Sequence, residues 1–314
     1  MPRTDNDSWD IATSVGATAV MVALARAAET ESANPLIRDE YAEQLVSTPQ
    51  LAEVRDRIAS LWRRPDVADD DGFAMDFQQM IDYQAVRTHF FDEFFAKAAA
   101  AGISQHVILA AGLDSRAYRL DWPAGTVVYE IDMPAVLEYK AATLAQTRPR
   151  ATRRGVAADL RHDWPATLRG AGFDADSPAT WLAEGLLPFL PGQAQESLYS
   201  AIDSLSAPGS RVAVEVFAVS KDARAYVEER WRQVRVAREE RGEDVVFDPF
   251  DLWYHQDDWP DCAAWFAKRG WATQSAQTRA EFERLGRPVR ETDDEHRPFV
   301  NSFVTAERPA QPTG

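Results

Sequence analysis

A buried strand that ends in a single glycine, followed by a second strand that ends in an acid, most constrains this chain. Residues 107–111 are the apolar run Val-Ile-Leu-Ala-Ala before Gly112, and the run 127–131 ends in Asp132, twenty residues after that glycine. Nucleoside-binding α/β folds hold a ribose by such a strand, glycine turn, crossover and second strand with a terminal carboxylate. Asp132 can accept both ribose hydroxyls, and Gly112 lets the backbone approach a ligand.

The glycine pattern narrows the class of nucleoside. The turn Ala-Ala-Gly-Leu-Asp-Ser-Arg has one glycine, whereas a dinucleotide fingerprint has three, and it lacks the Gly-Lys-Ser/Thr of a phosphate-binding P-loop. A lone glycine followed by Leu113 suits a ligand without phosphates, such as S-adenosylmethionine. The strand-to-acid spacing also permits a nicotinamide-dependent oxidoreductase, which the lone glycine disfavours.

From residue 106 onwards, apolar runs alternate with helical patterns. This alternation predicts an α/β fold with a doubly wound, mostly parallel sheet of seven strands, which is Rossmann-like. The predicted strands are 106–111, 126–131, 153–158, 179–183, 210–217, 271–274 and 299–306, and the helices between them include 134–147, 163–170 and 192–206.

The chain divides into a helical cap and a sheet domain. Residues 1–102 predict an N-terminal helical region, with one helix starting near Asn34-Pro35 because Asn caps helices and Pro suits their first position. Residues 103–314 predict the nucleoside-binding domain. An insertion at about 218–262, with a charged helix over 221–243, follows the fifth strand and is expected to form part of an acceptor pocket.

Charge and cysteine content exclude several classes of protein. The net charge of −16 opposes general affinity for nucleic acid or anionic membranes. One cysteine, Cys262, excludes an intramolecular disulfide and a zinc site built from cysteines. The five histidines show no metal-ligand spacing, so no metal is expected. Residues 11–28 are too polar for a signal peptide or a membrane span, and we expect a cytoplasmic protein.

Two further acids follow predicted strands. Asp159 and Leu160 come after the third strand, where the carboxylate could accept the adenine amino group and the leucine could cover the ring. Glu184 ends the fourth strand, beside the cleft. Each acid has a structural alternative, because Asp159 could cap the turn into the next helix and Glu184 could be a turn residue before Gly185.

Several segments together resemble the leucine carboxyl methyltransferase family, in particular its actinobacterial, mycobacterial-type branch of S-adenosylmethionine-dependent methyltransferases. The resemblance rests on Ala-Gly-Leu-Asp-Ser-Arg, Tyr-Glu-Ile-Asp-Met-Pro, Ala-Asp-Leu, Ala-Glu-Gly-Leu-Leu-Pro-Phe-Leu, Ser-Val-Gly-Ala-Thr-Ala and Arg-Thr-His-Phe-Phe-Asp. It runs from about residue 8 to about residue 305. It implies the class I methyltransferase fold and S-adenosylmethionine as cofactor.

The resemblance also implies roles for individual residues. Asp132 would bind the ribose hydroxyls, Asp159 with Leu160 the adenine, and Gly112 would line the methionine part. Arg87 would pair with the methionine carboxylate, for which a guanidinium fork is well shaped; taken alone, it reads as a surface helix charge. Glu184 would face the ammonium or the sulfonium group. Ser14, Thr18 and Arg26 would help the N-terminal helix to close the pocket, whereas Arg116, which follows the glycine, could instead be structural.

The expected reaction is O-methylation of a small apolar acceptor, a carboxylate or a hydroxyl, by direct displacement. A carboxylate is already ionised at pH 7, whereas a hydroxyl needs a base; the candidates are His89, Tyr254 and His255. The aromatic residues expected in an acceptor pocket, or alternatively in core packing, are Phe250, Trp253, Tyr254 and Trp259. A non-catalytic protein that binds the cofactor stays an alternative, since methyl transfer needs few catalytic groups. The sequence leaves the oligomeric state open.

Overall fold

A computed structural model describes residues 11–12, 15–62, 77–218, 252–254, 259–288 and 300–310, and the single positions 229, 232, 236, 240 and 242. In this part of the chain, seven strands form one sheet in the order β3-β2-β1-β4-β5-β7-β6. Neighbours from β3 to β5 are parallel, and β7 is antiparallel to β5 and β6. The predicted doubly wound α/β fold is confirmed. The strands are β1 Gln105–Leu109, β2 Val127–Asp132, β3 Thr152–Ala157, β4 Ala179–Ala183, β5 Arg211–Ala218, β6 Ala272–Gln277 and β7 Val300–Glu307.

Helices precede the sheet and connect its strands. They are α1 Val15–Thr30, α2 Ala42–Val46, α3 Ala52–Trp62, α4 Phe77–Ala100, α5 Arg116–Arg119, α6 Pro134–Thr143, α7 Trp164–Gly170, α8 Gly192–Ser204, α9 Cys262–Ala267 and α10 Thr278–Arg284. Short 3-10 helices cover Pro49–Leu51 and Leu187–Phe189. No helix in the described ranges combines the length and apolar character needed to cross a membrane. Most of the predicted charged helix 221–243 and most of the insertion 218–262 lie outside the described residues.

The helix expected near Asn34-Pro35 is wrong, because the next helix begins only at Ala42. Side chains at the end of α1 bind the backbone that follows. Glu29 accepts the Leu36 N–H at 2.5 Å, and the Thr30 hydroxyl accepts the Asp39 N–H at 2.9 Å. These bonds satisfy the peptide groups without helical pairing.

The two faces of the sheet carry separate hydrophobic clusters. Alternate residues of a strand point to opposite faces, so Val107 and Leu109 pack with α7, α8 and α9. Ile108 faces the other side, where α1, α2, α3, α4 and α6 pack. The N-terminal helices therefore share a core with the sheet. The division into domains at residue 102 stays a prediction.

The strand order reverses between β1 and β4, and ligands of doubly wound sheets bind at such a point, beyond the carboxyl ends of the strands. Leu109 pairs with Ala183 in register, and Asp132 is the last residue of β2. The residues that follow these positions therefore meet at one edge of the sheet.

His106 is fully buried within β1. Its Nδ1 lies 2.7 Å from the Thr180 hydroxyl, and its ring packs against Phe95 and Trp122. Burial lowers the pKa of His106 to about 4, because the charged imidazolium would lose its hydration. The folded protein therefore holds this histidine neutral.

We predict that His106 makes the stability depend on pH. Below an unfolded-state pKa of about 6.5, His106 is protonated in the unfolded chain but stays neutral in the folded protein. The contribution of His106 to the free energy of unfolding therefore decreases as the pH falls towards 4. The free energy of unfolding of the wild type minus that of His106→Gln should fall by about 2 kcal/mol between pH 7.5 and pH 5. Urea titrations of both proteins measure this difference; an equal difference at the two pH values would contradict the prediction.

Candidate functional site

A hydrogen bond joins Gly112, after β1, to Asp132, at the end of β2. The Gly112 N–H donates to Asp132 Oδ2 at 2.6 Å, and the Met133 N–H donates to Oδ1 at 2.7 Å. Burial raises the pKa of Asp132 above its ordinary value, and the two N–H groups oppose that shift. Because each carboxylate oxygen has two acceptor positions, each can still accept one hydrogen bond.

Two buried cations hold the loop after β1, which we call the glycine loop (residues 110–115). Arg26 of α1 donates from Nη2 to the Leu113 carbonyl oxygen at 2.7 Å. Lys140 of α6 donates from Nζ to the Asp114 carbonyl oxygen at 2.9 Å. The carbonyl groups of the loop are thus bound from two separate helices, so its backbone position depends on elements far apart in sequence.

Gly112 lies directly under α1. Its φ is +47°, a left-handed conformation that favours glycine, and a Cβ built on it would lie 3.2 Å from the Cβ of Ala19. From the sequence, the need for glycine at position 112 was explained by the close approach of a ligand to the backbone. The structure adds a second cause, the close approach of the N-terminal helix.

Glu184, directly after β4, binds two arginines. Its Oε1 lies 2.8 Å from Arg87 Nε, and its Oε2 accepts a hydrogen bond from Arg116 Nη1 at 2.7 Å. Arg116 also binds Asp92, at 2.7 Å, and Asp114. The structure thus brings Arg87 and Glu184, two of the residues singled out from the sequence, into direct contact.

Glu215 belongs to the same cluster of buried charges as Arg87, Arg116 and Glu184, and the sequence analysis missed it. It is fully buried in β5, and its Oε2 accepts from Arg87 Nη1 at 3.0 Å and from the Gly185 N–H at 2.7 Å. The Tyr83 hydroxyl donates to the other oxygen and accepts from Asn301 Nδ2 at 2.6 Å. The signal was present in the sequence, since Glu215 is an acid inside the apolar strand Val-Ala-Val-Glu-Val-Phe.

Burial and the nearby Glu184 carboxylate raise the pKa of Glu215, while Arg87 and the Tyr83 and Gly185 donors lower it; the net shift is upward. A buried carboxylate keeps its charge only where donors replace the lost water.

Asp159 and Leu160 follow β3. The Ala158 N–H donates to the Asp132 carbonyl oxygen at 3.0 Å, so Asp159 comes one residue after a contact with the end of β2. Its side chain is bound by Arg161, with 2.7 Å between Oδ2 and Nη2. Burial raises the pKa of Asp159, but the Arg161 hydrogen bonds outweigh burial and leave it below its ordinary value. Leu160 packs beside the hydrophobic cluster of that sheet face.

The remaining candidates lie in different places. His89 lines a surface groove between α4 and residues 120–122. The Tyr254 N–H donates to the Pro188 carbonyl oxygen at 2.8 Å, and Trp253 packs on Phe217 with ring centroids 5.2 Å apart. Ser14, Phe250 and His255 lie outside the described residues. No group of three His, Cys, Asp or Glu side chains within the described ranges could hold a metal ion.

We predict that Gly112→Ala costs more stability than Gly125→Ala. Gly125 also has a positive φ, +87°, but a Cβ there meets nothing within 4 Å. Gly125→Ala should lower the free energy of unfolding by about 1–2 kcal/mol through the backbone alone. Gly112→Ala should lower it further, because α1 must move. Urea unfolding of both variants measures the difference, and equal losses would show that Ala19 does not restrict residue 112.

Comparison with known proteins identifies the family of this chain. Residues 19–203 match the family described as leucine carboxyl methyltransferase. A Mycobacterium ulcerans protein that carries the name of an S-adenosyl-L-methionine-dependent methyltransferase is 62% identical, covering 98% of this chain and 100% of the relative. A Mycolicibacterium paratuberculosis protein of the same name is 54% identical, covering 92% of this chain and 90% of the relative.

The fold has solved counterparts at lower identity. A Thermobifida fusca protein described as a methyltransferase superposes with a TM-score of 0.51 at 18% identity, covering 85% of this chain and 93% of that one. This likeness concerns the fold alone. On the family match and the close relatives, the chain belongs to the leucine carboxyl methyltransferase family and is an S-adenosylmethionine-dependent methyltransferase.

Proposed function

We propose that the protein methylates an oxygen atom, of a carboxylate or a hydroxyl group, on a small apolar acceptor. The observation that carries the proposal is the aromatic contact between Phe217, near the end of β5, and Trp253. Both residues are half-buried. The N–H of Tyr254, the next residue, donates a hydrogen bond to the carbonyl oxygen of Pro188, which lies four residues after Glu184 in the chain. An apolar surface beside a polar cluster suits an acceptor with an apolar body and one polar end.

Asp132 has the geometry to hold the ribose. It is buried, its position is fixed by two backbone N–H groups, and each oxygen can accept one further hydroxyl. We assign the adenine to Asp159 and Leu160, which follow the neighbouring strand. Gly112 lines the site next to Asp132, since its N–H donates to the Asp132 carboxylate.

We assign the methionine end of the cofactor to Arg87 and Glu184. Arg87 engages Glu184 through Nε and Glu215 through Nη1, and its Nη2 makes no hydrogen bond to a described residue. A guanidinium nitrogen with free donors suits the cofactor carboxylate. Glu184, which binds Arg87 and Arg116, suits the ammonium group. Arg87 and Glu184 thus provide partners for the carboxylate and the ammonium group of the cofactor.

The cofactor supplies a methyl group already activated by the positive sulfur. The work left to the chain is to orient the acceptor oxygen and exclude water from it. A carboxylate acceptor is ionised at neutral pH and needs no base from the protein. The net charge of −16 opposes polyanionic acceptors, and it favours acceptors with little negative charge.

Labelled methyl donor tests the acceptor class. We expect the purified protein to transfer label to aromatic carboxylic acids or phenols and not to the corresponding amines. Mild alkali separates the two oxygen classes, because a methyl ester releases its label as methanol whereas a methyl ether keeps it. Label that accumulates only on the amines would refute O-methylation.

Replacing Asp132 tests the cofactor site without any acceptor. Charged hydrogen bonds contribute about 1.5–3 kcal/mol each, so Asp132→Ala should weaken binding of S-adenosylmethionine by at least about tenfold in isothermal titration. Asp163→Ala is the matched control, because in the described part of the chain Asp163 caps α7 by accepting the Ala166 N–H. Circular dichroism verifies that both variants fold. Unchanged affinity of a folded Asp132→Ala protein would show that the ribose lies elsewhere.

A further inference from the structure

Glu215 has no role in the proposed cofactor contacts, yet it is a fully buried acid beside them. Within the described part of the chain, its one cationic partner is Arg87, which Glu184 shares. Its other contacts are neutral donors, the Tyr83 hydroxyl and the Gly185 N–H. Glu184 also binds Arg116, whereas Glu215 depends on the guanidinium of Arg87 that it shares.

The surrounding charges do not restore the balance. The carboxylates joined to one another through salt bridges are Asp39, Asp92, Asp114, Glu184 and Glu215, and the cations between them are Arg26, Arg87, Arg116 and Arg119. Among the described residues, the cluster thus contains one more acid than base. Arg116 cannot compensate Glu215, because it already binds Asp92, Asp114 and Glu184.

A buried excess charge attracts a ligand of opposite net charge more strongly than the same charge in water, because the local dielectric is low. S-adenosylmethionine carries an ammonium, a sulfonium and a carboxylate group, and its net charge is +1. Its product, S-adenosylhomocysteine, has lost the sulfonium charge and is neutral overall. The two ligands therefore differ by the charge that would balance the cluster.

We propose that Glu215 makes the site select the cationic cofactor over its neutral product. Glu215 is a positioning residue that acts through Arg87 and through the charge of the cluster, so this inference rests on the assignment of Arg87 and Glu184 to the methionine end. The consequence is weak product inhibition, since methyl transfer removes the charge that held the cofactor.

Isothermal titration of the full chain with three ligands tests the proposal. Sinefungin is the third ligand, because it carries a protonated amine in place of the sulfonium methyl group. The wild type should bind S-adenosylmethionine and sinefungin about tenfold more tightly than S-adenosylhomocysteine, a difference of about 1.4 kcal/mol. Glu215→Gln should bring the three affinities close together, mainly by weakening the two cationic ligands.

A matched variant separates charge at this place from a general loss of a buried acid. Glu29→Gln removes a different buried carboxylate, paired with Arg287, and should leave the preference for cationic ligands unchanged. A purely structural defect would weaken all three ligands alike.

The outcomes that overturn the proposal are distinct from failure of the proposed reaction. Equal wild-type affinity for all three ligands refutes it even if Glu215→Gln does not fold, and so does an unchanged preference in a folded Glu215→Gln protein. Failure to bind any of the three would instead refute the cofactor contacts. Transfer of label only to amines would refute O-methylation and leave the ligand preference as measured.

Discussion

The site depends on Glu184, because this one carboxylate binds arginines from two separate segments. Arg87 comes from the long helix α4 and Arg116 from the short helix after the glycine loop, and Glu184 itself follows β4. All three side chains are almost completely buried. Since a buried guanidinium without a carboxylate is very costly, each segment is held in place by the other two.

Such a cluster is a poor source of stability and a good source of geometry. The desolvation of buried ions offsets most of their attraction, whereas removing one partner leaves an uncompensated charge. The glycine loop follows the same logic, because Arg26 and Lys140 bind its carbonyl oxygens from two helices. Misplacing either helix would leave a buried cation without its partner. The hydrophobic clusters on the two sheet faces provide the stability, and the charges determine how the segments meet.

The sheet could be predicted because its signal is local. Apolar runs and turn residues placed every strand to within a few residues, and Gly112 with Asp132 marked the edge of the sheet that we propose for the cofactor. The contacts of Glu215 could not be predicted in this way. Its partners Tyr83 and Arg87 lie 132 and 128 residues away, and only the folded chain shows that they meet. The expected helix near Asn34-Pro35 failed for a related reason, since side chains of α1 bind that segment.

The N-terminal helices cannot be regarded as a separate lid on a finished site. Ala19 of α1 lies against Gly112, and Arg26 of the same helix binds both the Leu113 carbonyl oxygen and Asp39. The N–H of Gly112 in turn binds Asp132. A displacement of α1 would therefore affect Asp132, the residue proposed to bind the ribose, through two contacts. Each contact is fixed by close packing or by a buried charge. An acceptor that displaced this helix would change the proposed cofactor site at the same time, and the packing would then couple the two binding events.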